Sequence, residues 1–203
     1  MPYAKLKTNR PVRVAVIILY LSAAPAFINA DITIDESVSY YDITGTSVRE
    51  LRESIYANSL VDRAANGFDA STNWSISSQF EYLAEASGCK ITSADIRANI
   101  VYRLPRWQAI KDSTDTELTA KWRGYIDNLT RHESIHGDMT RDAVSTIETT
   151  LLSLHTTDTN LSCDALKTKA YASIDRLIAE LKQRHEKFDV DTNHGTKTGA
   201  VLP

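Results

Sequence analysis

The chain has 203 residues, of which 42% are hydrophobic and 24% charged, as expected for one globular domain with a sizeable core or for two very small ones. Seven glycines and five prolines exclude a collagen-like or proline-rich protein. The formal net charge is −3, and without the four cations of residues 1–30 the rest carries 19 basic against 26 acidic residues. This acidic balance argues against nucleic acid as a partner.

Residues 1–30 predict a secretory signal peptide. A basic stretch that ends at Arg13 is followed by a short apolar run over residues 14–21 and then by small residues. The run is too short to cross a hydrocarbon core of about 30 Å, although an uncleaved membrane anchor is the alternative. We expect cleavage after Ala30, or else after Ala26. The mature chain is then a single domain over residues 31–203, secreted or periplasmic, with no membrane span.

The two cysteines, Cys89 and Cys163, both lie in the predicted mature part. In an exported protein a lone pair of cysteines is expected to form a disulfide, with two separate buried thiols as the alternative. The bridge would close a loop of roughly 75 residues and contribute about 4 kcal/mol in the chain-entropy model.

Residues 31–110 predict strands and one short helix. The segment 34–43 is rich in residues that favour strands, and a capping box at 47–50 starts the short helix. Apolar and polar residues alternate over 74–82 and over 96–104. This alternation predicts two strands that pair as an antiparallel hairpin, to which the segment 34–43 adds a third strand.

From residue 111 the apolar residues recur every three or four positions, which predicts helices. One helix is expected over 115–154 and a second over 166–188, joined by a short polar connection. Residues 189–203 are predicted to form a C-terminal loop. The expected fold is therefore α+β: a small antiparallel sheet with a short helix, packed on a long antiparallel helical hairpin that spans 111–188.

The first predicted long helix contains an H-E-x-x-H motif made by His132, Glu133 and His136. Residues four apart share one helix face, so both imidazoles can bind one zinc ion, and Glu133 can act as general base on a zinc-bound water. The two histidines occupy apolar-stripe positions, where a polar pair is costly unless it is satisfied. The alternatives are core histidines that hydrogen-bond to carbonyls or acids, and a purely structural zinc. Gly137 indicates either a close approach of another segment or a tolerated helical glycine.

A catalytic zinc site needs a third protein ligand. The turn between the predicted helices is centred near residue 158, so the returning chain reaches the level of the motif near residue 182. His185 lies at about that level, and His194 lies in the loop just beyond and could fold back onto the metal. His155 is too far along the first helix. We favour His194 as the third ligand, with His185 as the alternative; otherwise His185 interacts with the helix dipole and His194 is an exposed tail residue.

The chain resembles a bacterial family, domain of unknown function 922, whose members are described as predicted secreted zinc-dependent proteases. The matching stretches are residues 40–45, the Cys89 region, residues 104–107, the motif at 132–136, the Cys163 region, and the ending from Phe188 through His194 to Gly199. The resemblance implies a zincin-like fold and strengthens the prediction of His194, because that residue falls in the matching tail. Phe188 stands where the family pattern leads us to expect tyrosine.

We therefore predict a secreted zinc metallopeptidase that acts on peptide or protein substrates. His132, His136 and His194 would bind Zn²⁺, and Glu133 would activate the water that attacks the peptide bond. Two other functions use the same residues. One is a non-catalytic envelope protein with a structural or vestigial metal site, and the other is a zinc amidase that acts on cell-wall peptides.

Overall fold

The computed structural model of the chain describes residues 29–58, 68–86, 88–156 and 163–203. Most of the predicted signal peptide lies outside these residues. The described strands are β1 (Asn29–Ile43), β2 (Ser71–Glu85), β3 (Gly88–Trp107) and β4 (His155–Thr156), and the described helices are α1 (Val48–Asn58), α2 (Thr116–Ser153) and α3 (Cys163–Thr192). The α+β class is confirmed.

The sheet is mixed, with β3 between β1 and β2 and with β4 also paired to β3. The predicted hairpin exists, because β2 and β3 pair antiparallel from Ser71 and Arg103 down to Glu85 and Gly88. However, β1 pairs with β3 in parallel, so the prediction of an antiparallel sheet was wrong for this strand. Alternating apolar residues specify a buried face but carry no information on strand direction. The connection from β1 to β3 runs through α1 and β2, which is long enough for a parallel crossover.

Helix α2 packs along the sheet and separates two apolar clusters. One cluster surrounds its first half, and it includes Ile43, Leu51, Trp107, Trp122, Tyr125, Ala200 and Leu202. The other surrounds its second half, and it includes Ile91, Ile96, Val144, Ile147, Leu151 and Leu166. The buried residues of α2 between these clusters include His132, Glu133, His136 and Thr140. The apolar core therefore lies on both sides of the H-E-x-x-H motif, and the buried polar residues of the motif separate its two clusters.

Gly137 marks a close approach of the sheet to α2. A Cβ atom at this position would overlap Tyr102 Oη and would lie 2.9 Å from Tyr102 Cζ. Tyr102 is held there by donating a 3.0 Å hydrogen bond to Glu36 Oε2. Of the two interpretations of Gly137, the close approach of another segment is therefore the one that the structure supports.

Helix α3 continues to Thr192, so the first four residues of the predicted C-terminal loop are helical. The helix ends because the next three residues have positive φ: 49° at Asn193, 51° at His194 and 81° at Gly195. The remaining tail then returns to the core through Ala200 and Leu202. This return fixes the segment around His194 beside α2.

The predicted pair Cys89 and Cys163 forms a disulfide with a Cα–Cα distance of 5.6 Å. It joins the start of β3 to the start of α3, across 74 positions of sequence. A disulfide is compatible with an extracellular or periplasmic location. Among the helices that the structure describes, none has both the length and the apolar content needed to cross a membrane.

Candidate metal centre

Four residues of α2, Leu129 and the motif residues His132, Glu133 and His136, line a cleft with a volume of about 580 Å³. His132, Glu133 and His136 are only 4%, 5% and 6% exposed. The walls come from the start of β2, the end of α3 and the C-terminal tail. The helical spacing of the motif thus produces the shared face that the sequence predicts, and burial removes these polar groups from bulk water.

Asp189, one turn before the end of α3, meets both histidines of the motif. Its Oδ1 atom lies 3.1 Å from His132 Nε2 and 3.0 Å from His136 Nε2. The ligand atoms of these three residues lie within 4.8 Å of one another, as in a group that could hold a metal ion. Atoms bound to one tetrahedral ion at about 2.0–2.1 Å are about 3.3–3.4 Å apart, so the two contacts of Asp189 Oδ1 need to lengthen only slightly. The residues present therefore fit a bound cation.

The charge of Asp189 also suits a cation. Burial alone would raise its pKa, but hydrogen bonds with His132 and His136 outweigh burial and hold the pKa of this carboxyl well below its usual range. Asp189 is therefore an anion at neutral pH. Two imidazoles and one carboxylate form a ligand set typical of divalent transition metals, including zinc.

Glu133 is held by a residue from the sheet. Thr72, on β2, donates its hydroxyl hydrogen bond to Glu133 Oε2 at 2.7 Å, and the same hydroxyl lies 3.1 Å from the Glu133 carbonyl oxygen. Burial raises the pKa of Glu133, and the hydrogen bond from Thr72 opposes this rise only in part. A carboxylate with a raised pKa accepts a proton more readily, which is the property required of a general base.

His185 lies behind His136 rather than beside Asp189. Its Nδ1 atom is 2.6 Å from His136 Nδ1, whereas His136 Nε2 faces Asp189 on the opposite edge of the ring. Trp74 covers the His185 ring at a centroid distance of 5.4 Å and an angle of 20°. Burial lowers the pKa of His185 to about 4. His185 is thus neutral at physiological pH and contacts a candidate ligand without joining the group around Asp189.

His194 lies at the open side of the cleft. Its Nδ1 atom is 3.8 Å from Asp189 Oδ1, its side chain is 46% exposed, and its ring lies 4.2 Å from that of Phe68. The φ of 51° is uncommon for a residue with a side chain, so this position stores backbone strain next to the candidate site. A Cβ at the neighbouring Gly195 would lie 3.2 Å from His132 Cγ, which shows how closely the tail approaches α2.

Asp189 and Thr72 are members of the candidate site that were not predicted from the sequence. A signal for Asp189 was present, because it follows His185 by four residues and therefore shares its helix face. The predicted helix ended at Phe188, one residue before Asp189, whereas α3 continues to Thr192. Phe188 itself stacks on His132 with ring centroids 4.8 Å apart. No comparable signal identified Thr72, which reaches Glu133 from 61 positions away.

The fold and the site together define an α+β protein with a candidate metal centre in a cleft. The family described as "Bacterial protein of unknown function (DUF922)" matches residues 38–195. Because this match covers most of the chain, the protein belongs to that family. Comparison with curated proteins and with solved structures gives no match.

Proposed function

We propose that this protein is a secreted or periplasmic zinc-dependent metallopeptidase. The observation that carries the proposal is the convergence of His132 Nε2, His136 Nε2 and Asp189 Oδ1 beside the buried carboxylate of Glu133. Such a group combines a three-residue metal site with an adjacent base, which is the arrangement of zinc hydrolases. The plan also resembles zincins, in which a sheet precedes the active-site helix.

The third ligand in this proposal is Asp189. The sequence favours His194, but the Asp189 oxygen contacts both Nε2 atoms of the motif, whereas His194 Nδ1 lies 3.8 Å from that oxygen. Binding by His194 stays a prediction that metal analysis can test. In the arrangement proposed here, His194 borders the open side of the site, where a substrate would enter.

When bound, zinc polarises the scissile carbonyl and lowers the pKa of a water molecule toward 7. Glu133 accepts the proton of the attacking water at Oε1, the carboxylate oxygen that Thr72 leaves free. The water oxygen forms a bond to the carbonyl carbon, and the carbon–nitrogen bond then breaks. Glu133 passes its proton to the leaving amine, so the residue ends each cycle as it began. Thr72 keeps the carboxylate oriented throughout.

An extended polypeptide is the substrate that suits this cleft. Within the described residues β2 pairs on one side only, with β3, and its first residues border the cleft. A strand with a free edge can hold an extended chain through backbone hydrogen bonds. A polypeptide aligned on the first residues of β2 would lie along the border of the cleft that Glu133 lines, and Thr72 of the same strand binds that carboxylate.

The proposal is tested by measuring cleavage of casein and of a peptide library by the zinc-loaded protein. Glu133→Gln should keep zinc and lose about 10²–10⁴-fold of the activity, because it removes the general base. Glu117→Gln is the matched control, since it makes the same substitution at an exposed position of α2. Equal activity of Glu133→Gln and wild type would refute the proposed role.

Metal content separates the two candidates for the third ligand. We expect Asp189→Ala to lose most of its zinc and His194→Ala to retain it, as measured by elemental analysis after dialysis. The opposite order would support the ligand set predicted from sequence. Zinc binding without hydrolysis of any peptide would instead favour a non-catalytic envelope protein, and hydrolysis confined to cell-wall stem peptides would favour an amidase.

A further inference from the structure

We propose that His185 is a positioning residue, which accepts a hydrogen bond from His136 Nδ1 and thereby directs His136 Nε2 at the metal. This inference rests on the metal site of the proposed function, and it gives a role to a half-buried histidine that the reaction itself does not use.

The two imidazoles lie side by side in nearly one plane. Their planes differ by 13° and their centroids are 4.9 Å apart, while the two Nδ1 atoms are only 2.6 Å apart. Each Nδ1 atom lies one ring radius from the centroid of its own ring, and the centroid separation equals the nitrogen separation plus about two such radii. Both nitrogens therefore lie on the line that joins the centroids, so the rings meet edge to edge rather than face to face. The lone pair of an imidazole nitrogen lies in the ring plane, so this is the geometry of a direct N–H···N hydrogen bond.

One proton between the two Nδ1 atoms determines how His136 can bind a metal. A neutral imidazole carries its hydrogen on one nitrogen and its lone pair on the other. His136 Nε2 can bind a cation only with the lone pair, so the hydrogen of His136 must lie on Nδ1. His136 then donates, and His185 Nδ1 accepts. In protein metal sites such outer hydrogen bonds fix the tautomer and orientation of the ligating ring.

The surroundings of His185 fix its own orientation. Trp74 lies almost parallel to its ring, and Thr72 and Trp74 are alternate residues of β2 that point to the same side. One of these two side chains holds Glu133, and the other covers His185. His185 Nε2 is buried and has no hydrogen-bond partner among the described residues. Among the described residues, the side chain of His185 therefore has His136 as its only hydrogen-bond partner. This is expected for a side chain whose role is to orient its neighbour.

The test measures zinc affinity by competition with a chromophoric chelator. We expect His185→Ala to weaken zinc binding by about 10–100-fold, the usual cost of losing an outer hydrogen bond at a metal site. His185→Asn should recover most of this loss, because its amide oxygen can accept the same hydrogen bond. His155→Ala is the control, since His155 is an exposed histidine on β4 whose hydrogen-bond contact is to Ser153.

A spectroscopic signature separates positioning from general packing. In the zinc-loaded protein, NMR of ¹⁵N-labelled histidines should show His136 protonated at Nδ1, with this proton protected from exchange. His185→Ala should lose that protection and His185→Asn should retain it. Unchanged zinc affinity and an unchanged Nδ1 proton in His185→Ala would overturn the inference, and so would His185→Asn that binds as weakly as His185→Ala.

Failure of this inference is distinguishable from failure of the proposed function. The readouts are zinc affinity and a ring proton, so a zinc-binding protein that cleaves no peptide would still support the role of His185. Conversely, an active peptidase whose zinc affinity does not depend on His185 would overturn only the present inference. A wild-type chain that binds no zinc would overturn both.

Discussion

The packing of the sheet against α2 predicts that alanine affects stability differently at two glycines of this helix. One variant tests the packing, and the other is its control. Gly124 and Gly137 both lie inside α2. A Cβ at Gly124 would have no atom within 4 Å, whereas a Cβ at Gly137 would overlap the hydroxyl of Tyr102. Replacing each by alanine changes the same helix in the same way, so the two variants differ mainly in this contact.

The magnitudes follow from two opposing effects. Alanine inside a helix is more favourable than glycine by about 1 kcal/mol, so Gly124→Ala should stabilise the protein by up to about that amount. At Gly137 the same gain is opposed by overpacking against Tyr102, which costs about 1–3 kcal/mol. The two variants should therefore differ by about 1–3 kcal/mol. For a domain of this size, that corresponds to melting temperatures roughly 2–12 °C apart.

The assay is thermal and urea unfolding of the metal-free variants in the presence of a chelator, so that metal binding does not enter the comparison. A double mutant identifies the contact: in a Tyr102→Leu background, Gly137→Ala should become as stabilising as Gly124→Ala. If Gly137→Ala stabilised the wild-type protein as much as Gly124→Ala does, the proposed close packing of β3 on α2 would be refuted. Because Gly137 follows His136, we also expect Gly137→Ala to weaken zinc binding and Gly124→Ala to leave it unchanged.

Three further predictions concern metal, pH and the disulfide. Zinc at 100 times its Kd should stabilise the wild-type protein by about 2.7 kcal/mol and leave Asp189→Ala unchanged, and equal shifts in unfolding midpoint would contradict the ligand assignment. In the metal-free protein, burial raises the pKa of Glu133, so ionised Glu133 destabilises the folded state. Glu133→Gln should therefore gain little below about pH 4 and progressively more as the pH rises through the folded-state pKa, and a pH-independent difference in urea midpoints would refute this. Replacing both Cys89 and Cys163 by serine should cost about 4 kcal/mol in the chain-entropy model, and an unchanged urea midpoint would show that the disulfide contributes nothing.

The sequence predicted the elements whose signals are local. The apolar stripe of α2 extends over the same residues as the helix, and the alternating segments correspond to β2 and β3. The direction of β1 was missed, because strand alternation is the same for parallel and antiparallel neighbours. That direction depends on how α1 and β2 are arranged in space, which is a property of the whole chain.

In the candidate site, too, the residues related by the local helical geometry of the motif were predicted, and a residue outside that motif was not. His132, Glu133 and His136 were found because helical geometry relates them within one turn. Asp189 was missed because the apolar stripe of α3 ends at Phe188, while the backbone remains helical as far as Thr192. An apolar stripe reports which residues face a core, and it ends where the helix leaves the core rather than where the helix itself ends.

Asp189 and Thr72, the two residues that were not predicted from the sequence, are the ones that complete the candidate site around the histidine pair. Two imidazoles one turn apart can bind many cations weakly, and their spacing alone does not set a coordination geometry. In the proposed site Asp189 would add a charged third ligand from α3, and Thr72 binds the carboxylate of Glu133 from β2. These contacts join three elements that are distant in sequence, so only the packing of α3 and β2 against α2 can bring them together. Substitutions that disturb this packing should therefore impair metal binding even where they leave the H-E-x-x-H motif intact.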